Sequence, residues 1–292
     1  MAYLFRVLLF FSFYNFILAI GVSESLIAQR VTYSGSLQYS AGSYFFTDRT
    51  ESFYVSNGFG IHGDRARISF NVPYVVQSSP WISYGTAGGI PTGGTGHKQV
   101  GQHSGGSDNQ MVDFQGRGSR RIEVPDTVSY RQSSFSDPSV NGSVRVYTSP
   151  NQKTNLTVNA SVKLPLSNPA SGFGTGAWDA GAGVSLFHRM NTVYLFSDVM
   201  YWQMGDMDDL NLKNPFSLSA GAGKVFREGT WMVTASIYGS TEIIETADPP
   251  ASMNAGVGYF ISSGVSLNGT FSFGLSESSP DVSAGVGWSL RL

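Results

Sequence analysis

The 292-residue chain contains no cysteine. That excludes a disulfide framework, a thiolate metal site and a lipid anchor carried on cysteine. Charge is scarce too: Asp, Glu, Lys and Arg make up 13% of the residues, against about 25% in ordinary soluble domains. The formal net charge is −2, so the basic footprint of a nucleic-acid binder is missing. Beyond residue 30 no apolar run approaches the ~18 residues that a membrane-crossing helix requires.

Aromatics and glycine are present in their place, with 20 Phe, 14 Tyr, 5 Trp and 35 Gly. That mixture suits many strands and turns that face an apolar medium rather than water. The first residues read as an address: "MAYLFR", then an apolar run over 7–22, then "SESLIAQR" with a small-residue cleavage position at Ala28. The pattern predicts a secretory signal over 1–28, with an uncleaved anchor as the alternative.

From Val31 onward the dominant signal is period-two alternation. "NLTVNASVKL" sets Leu156, Val158, Ala160, Val162 and Leu164 against Thr157, Asn159, Ser161 and Lys163. "DVSAGVGWSLRL" aligns Val282, Ala284, Val286, Trp288 and Leu290 in the same way. Such alternation marks strands with one apolar and one polar face. About twelve units are expected, at 31–41, 52–62, 65–77, 139–149, 154–166, 177–189, 191–203, 215–227, 230–241, 252–262, 264–275 and 281–292.

The connections between them alternate between short and long. "GD", "PNQK", "RMN", "REG" and "SSG" are tight; "GSYFFTDRTE", the segment 78–138, "SNPASGFGTG", "MGDMDDLNLKN" and "TEIIETADPP" are long. A soluble sandwich has no reason to sort loop lengths by parity. A transmembrane barrel does, with short periplasmic turns and longer outer loops. The expected fold is therefore an all-β, antiparallel, up-and-down transmembrane barrel at 29–292, carrying a long extracellular loop at 78–138. It must close, because an open sheet edge in hydrocarbon leaves backbone groups unpaired.

Polarity then sorts the two faces. Leu156, Val162, Leu195, Val199, Leu218, Val233, Phe271, Phe273 and Trp288 are expected to face lipid. The candidate lumen-lining residues are the charges Arg67, Arg145, Lys163, Asp179 and Asp198, together with Tyr194 and Phe196. The charges either pair to fill a narrow interior or set the selectivity of a pore. The quartet "AGAG" at 180–183 and 220–223, with "AGVG" at 255–258 and 284–287, puts alanines on the lipid face and glycines on the lumen face. Glycine there leaves room for large inward neighbours such as Tyr194, Phe196 and Met200.

The stretch "ASVKLPLSNPASGFGTGAWDAGAGVSLFHRM" resembles the bacterial outer-membrane family called "putative MetA-pathway of phenol degradation". Lys163-Leu164-Pro165, Gly174-Thr175-Gly176 and Trp178-Asp179 with Gly181 and Gly183 carry the likeness. "GDRARISFNVPYV" and "GLSESSPDVSAGVGWSLRL" extend it over roughly 31–292. The resemblance implies a 12-stranded outer-membrane barrel that passes hydrophobic or aromatic compounds. Two departures stand out: the chain closes on Leu290-Arg291-Leu292 rather than an aromatic residue, and 78–138 is long, with eleven glycines from Gly85 to Gly118.

Other motifs carry less. Gly58, Gly60 and Gly63 match G-x-G-x-x-G, but a strand rather than a helix follows them. His97, His103 and Asp108 lie among glycines that give a metal no rigid support, and Asp206, Asp208, Asp209 and Asn211 lack the closing Glu of a calcium loop. No metal site and no cofactor are expected. Arg117, Arg120 and Arg121 form a basic loop cluster that is either solvated or set to hold lipopolysaccharide phosphates. An outer-membrane lipid hydrolase is the enzymatic rival: "YVSNGFG" holds Ser56-Asn57-Gly58, but the general-base position is Tyr54 and the only histidines near strands are His62 and His188.

The reading is thus a non-enzymatic barrel that passes small apolar solutes through a lumen gated by 78–138. Its other partners are outer-membrane lipid and lipopolysaccharide, and its place is the bacterial outer membrane. A plugged structural or surface-binding barrel is the alternative.

Overall fold

A computed structural model describes residues 30–85, 88–93, 131–169, 172–207, 210–245 and 247–292. The strands are β1 (Arg30–Gly42), β2 (Thr50–His62), β3 (Ala66–Gln77), β4 (Ser83–Gly85), β5 (Gly88–Ile90), β6 (Gln132–Phe135), β7 (Ser139–Thr148), β8 (Thr154–Lys163), β9 (Asp179–Met190), β10 (Val193–Gln203), β11 (Phe216–Phe226), β12 (Trp231–Ser240), β13 (Ala251–Ser262), β14 (Val265–Gly274) and β15 (Val282–Arg291). Among the described residues there is no α-helix.

Twelve long antiparallel strands make a closed barrel. Each pairs with its sequence neighbour, and β1 pairs with β15 from Thr32↔Arg291 to Ala41↔Val282, which seals the seam. The strand bounds lie within a few residues of those expected from the alternation. One feature was not expected: the fourth wall strand comes in two pieces. β6 pairs with the end of β3 (Tyr74↔Phe135 to Gln77↔Gln132), β7 pairs with its start, and the chain breaks away at 136–138.

Antiparallel order puts the connections 63–65, 149–153, 191–192, 227–230 and 263–264 at one end, here the turn end. The connections 43–49, 78–138, 164–178, 204–215, 241–250 and 275–281 lie at the loop end. Tight reversal needs left-handed backbone, supplied at Gln152, Asn191 and Glu228 with φ of 54°, 56° and 55°.

The outer face is apolar. Leu195, Val199, Leu218, Val233, Phe271 and Phe273 are all exposed on it. Leu156 and Val162 share that face through their register with Leu186 and Ala180, and Trp288 lies across the Gly35 position of the neighbouring strand. Aromatic pairs ring both margins: Tyr39–Phe53 and Tyr201–Phe216 towards the loops, Tyr33–Phe59 and Trp231–Tyr259 towards the turns. Such girdles flank the lipid-facing band of an outer-membrane barrel. With lipid as the outer solvent, the wall needs no apolar core behind it. Most of the buried apolar residues gather instead at the loop end, Tyr194 near the turns being an exception.

Candidate functional site

The two AGAG quartets lie on either side of β10, while the AGVG copies lie on β13 and β15. Gly181 and Gly183 of β9 oppose Trp202 and Met200, while Gly221 and Gly223 of β11 oppose Phe196 and Tyr194. A Cβ on Gly181 would stand 2.3 Å from the Trp202 ring, one on Gly223 2.2 Å from the Tyr194 ring, and one on Gly221 2.5 Å from Phe196. The large inward side chains of β10 therefore lie along the wall, over the glycines beside them, instead of projecting across the lumen. Phe187 stacks on Tyr194 with ring centroids 5.4 Å apart. Asp198, at the middle of the row, accepts hydrogen bonds from the Ser185 and Ser219 hydroxyls of the two flanking strands. The wall that the glycines leave bare on their own strands is thus clothed by β10.

Beyond β9 on the same side of the barrel, the inner faces of β8, β7 and β3 make a polar surface, and between it and the end of this row lies a chamber of about 260 Å³. Trp202 and Met200 form its apolar side; Arg67, Ser69, Asn141, Ser143, Asn159 and Ser161, with Gly142 and Ala160 between them, form the rest. Its amides are oriented by hydroxyls: Ser161 Oγ donates to Asn141 Oδ1 at 2.7 Å, and Asn159 Nδ2 donates to Ser185 Oγ at 2.6 Å.

Above the chamber the loops close the mouth. Tyr44, Phe45 and Phe46 from 43–49, Trp81, Ile82 and Ile90 from 78–93, Met204, Met207, Leu210 and Leu212 from 204–215, and Ile243 and Ile244 from 241–250 form one buried apolar cluster. Trp202 belongs to it and Met200 packs against it, so cluster and chamber share a wall. The β4–β5 hairpin crosses the opening. Tyr84 packs on Tyr54 of the β2 inner face at 5.4 Å, whereas a Cβ on Gly85 would lie 3.5 Å from Asp179 of β9. The first part of the long segment therefore folds into the lumen, and Gln77 Nε2 ties it to the 164–178 connection by donating to the Ile82 carbonyl at 3.4 Å and the Gly172 carbonyl at 3.0 Å. Burial pushes the Tyr44 hydroxyl well above its ordinary pKa, with smaller contributions from Tyr84 and Asp281.

A buried charge cluster ties these loops to the wall. Lys163 Nζ lies 2.9 Å from Asp179 and 3.4 Å from Asp137, with all three side chains at most 2% exposed; it also donates to Thr175 Oγ1. Asp137 accepts further bonds from the Leu166, Ser167 and Gly176 amides at 2.9, 2.7 and 3.2 Å, and Asp179 from the Gly205 amide at 3.0 Å. Gly176 has φ of 61°, a conformation that favours glycine. Lys163, Gly174-Thr175-Gly176 and Asp179, quoted above for the family likeness, converge on this one point. Asp137 completes it from the break between β6 and β7. Only its position in "SDPS", where strand alternation lapses just before β7, marks it in the sequence.

The remaining candidates separate clearly. Arg67 is exposed on the chamber wall, and Arg145 faces inward nearer the turns, in register with Thr157. Arg117, Arg120 and Arg121, with His97, His103, Asp108, Asp208 and Asp209, lie outside the described residues. Asp206 Oδ1 accepts the Leu212 amide within its own loop at 3.1 Å. His62 and His188 bond Thr32 and Thr154 at 2.8 and 2.9 Å, and neither contact is to a serine. Gating by 78–138 and a plugged lumen were both expected as readings, but the share of 43–49, 204–215 and 241–250 in the plug was not. Its signal was the apolar content of "SYFF", "PWIS" and "EII" in loops that, in a barrel, have no lipid to face.

The model of the family described as "Putative MetA-pathway of phenol degradation" matches residues 48–292. The chain belongs to this family. Among solved structures, an outer membrane channel from Pseudomonas putida F1 superposes with a TM-score of 0.60 at 11% identity, covering 93% of this chain and 98% of that one. The NanC porin aligns at a TM-score of 0.48 and 7% identity, over 90% of this chain and 100% of the porin. A monoaromatic hydrocarbon channel, CymD, aligns at 0.44 and 8%, over 90% and 88%. These likenesses concern the fold. No match is found among curated proteins.

Proposed function

We propose that this chain is an outer-membrane channel for small apolar, in particular aromatic, compounds, with its loop end outside the cell and its turn end in the periplasm. Export through the signal at 1–28 and contact of Arg117, Arg120 and Arg121 with lipopolysaccharide are parts of the same proposal. The observation that carries it is the continuity between the apolar plug and the chamber. Phe45, Phe46 and Trp81 are buried in one cluster with Trp202, and Trp202 and Met200 line the chamber, so apolar side chains run from the plug to the chamber wall. Membership of the family supports the reading. So does the closing of the mouth by loops alone, because loops can move while the hydrogen-bonded wall stays intact.

The test is uptake of a neutral one-ring solute into proteoliposomes, together with planar-bilayer conductance, for the full chain and a variant lacking residues 83–90. Slow uptake in the full chain and higher conductance in the variant are expected. No passage in either form would leave a plugged structural barrel in its place.

A further inference from the structure

We propose that the chamber beneath the plug binds a one-ring compound carrying an anionic group, with its ring against Trp202 and Met200 and its charge at Arg67. The proposal deepens the channel reading and rests on it for how the ligand arrives. Three observations lead to it.

The first is size and shape. An apolar cavity of about 150 Å³ accepts a benzene molecule, so about 260 Å³ holds a ring and one substituent. The chamber is two-sided, with an indole and a thioether on β10 facing Arg67 and the Asn141 and Asn159 amides. A purely apolar solute would leave that second side without a partner, whereas a bifunctional one satisfies both.

The second is charge. Arg30, Arg67 and Arg291 lie within electrostatic reach of His62 on the inner face of the turn end, and Arg145 faces inward from β7. None of these four arginines has an acidic partner among the described residues; the ion pairs found there belong to Lys163 and Lys213. The acids of the turn end, Asp64 and Glu228, are exposed in its connections. An inward-facing set of unpaired guanidinium groups gives the lumen a positive potential, which the low-dielectric wall focuses.

The third is that the one acid in the middle of the β10 row is already committed. Asp198 takes the Ser185 and Ser219 hydroxyls, and Asn159 in turn donates to Ser185. The donors around Asp198 point at it, so its charge is held on its own side of the lumen. Arg67 is left to present its planar fork to a ligand, the geometry that matches a carboxylate.

The experiment is calorimetric titration of the detergent-solubilised full chain with benzoate and with benzyl alcohol, its neutral counterpart, alongside proteoliposome uptake of both. Benzoate should bind about tenfold or more tightly than the alcohol, the advantage expected of a charge-assisted, bidentate contact. Arg67→Gln should erase most of that difference by weakening benzoate far more than the alcohol, and Arg67→Lys should restore part of it. Equal affinity for the two compounds, or an Arg67→Gln protein that keeps the parent's preference for benzoate, would overturn the assignment. Arg67 is exposed on the lumen wall, so heat-modifiable migration of each variant on gels should match the parent and show that folding is intact. Benzoate binding that depends on Arg67 without passage of either compound would uphold the site and sink the channel reading. Passage of both compounds with no preference would do the reverse.

Discussion

At the loop end, Lys163 is held between Asp137 and Asp179 with almost no solvent exposure; at the turn end, Arg67 and Arg145 stand exposed and unpaired. The same barrel treats charge in opposite ways because its two ends are covered differently. Loops of 43–49, 78–93, 164–178, 204–215 and 241–250 are long enough to fold back and expel water. A charge beneath them must be paired and hydrogen-bonded or it would not be tolerated. Turns such as 191–192 and 263–264 cover nothing, so the inward cations beside them stay hydrated. Their potential then remains available to whatever enters the lumen. One end spends its charges on holding itself shut, and the other keeps them free.

The strongest way to break this contrast is Lys163→Met. It leaves two carboxylates buried without a cation, which costs about 3–5 kcal/mol and should lower the urea midpoint of the vesicle-inserted protein. Adding Asp179→Asn should recover part of the loss, since one unpaired charge is then removed.

Next in size is Gly181→Leu. The new side chain would meet the Trp202 ring where even a Cβ comes within 2.3 Å, a case of overpacking worth about 1–3 kcal/mol. The displaced ring should also loosen the plug, giving more frequent opening in bilayer recordings than an outer-face Ala180→Leu control.

A smaller effect is set by pH. The Tyr44 hydroxyl is raised above its ordinary range by burial, so the folded plug keeps the proton while the unfolded loop releases it. That contribution is complete below the unfolded tyrosine value and is lost as pH rises through the higher folded value. Conductance should therefore increase on the alkaline side, and Tyr44→Phe should shift that rise to higher pH while leaving neutral behaviour unchanged.

The smallest stability effect belongs to Arg67→Gln, within about 0.5 kcal/mol of the parent, although the same change is expected to remove most of the anion preference. A loss approaching that of Lys163→Met would mean that Arg67, too, is a structural charge, and the contrast between the ends would fall.

Much of this architecture was legible in advance. Period-two alternation located the wall strands, because lipid on one side and water on the other impose opposite polarities on successive residues. The loops could be sorted by length for a similarly local reason. The inward glycines at 181, 183, 221 and 223 were legible as well, but the ring that each one faces was not. That depends on cross-strand register, which turns and closure set together.

Lys163 and Asp179 were recognisable as inward charges, since each interrupts an apolar alternation. Asp137 was not, because it sits where the chain leaves the strand pattern and finds its partners 29 or more residues away in Leu166, Ser167 and Gly176. The joint make-up of the plug was hidden for the same reason. "SYFF", "PWIS" and "EII" are apolar, but nothing local says that residues from four separate loops meet.

The sequence by itself, then, determined that there is a barrel, which residues face lipid, and which end carries the long loops, all properties of patterns a few residues long. Only the tertiary structure decided that the mouth is closed by apolar side chains, that Lys163 is shared by two acids, and that Arg67 is left free beside a chamber. Those outcomes depend on closing the ring, because closure is what brings β1 against β15, sets β4–β5 across the opening, and divides the interior into a covered end and an open one.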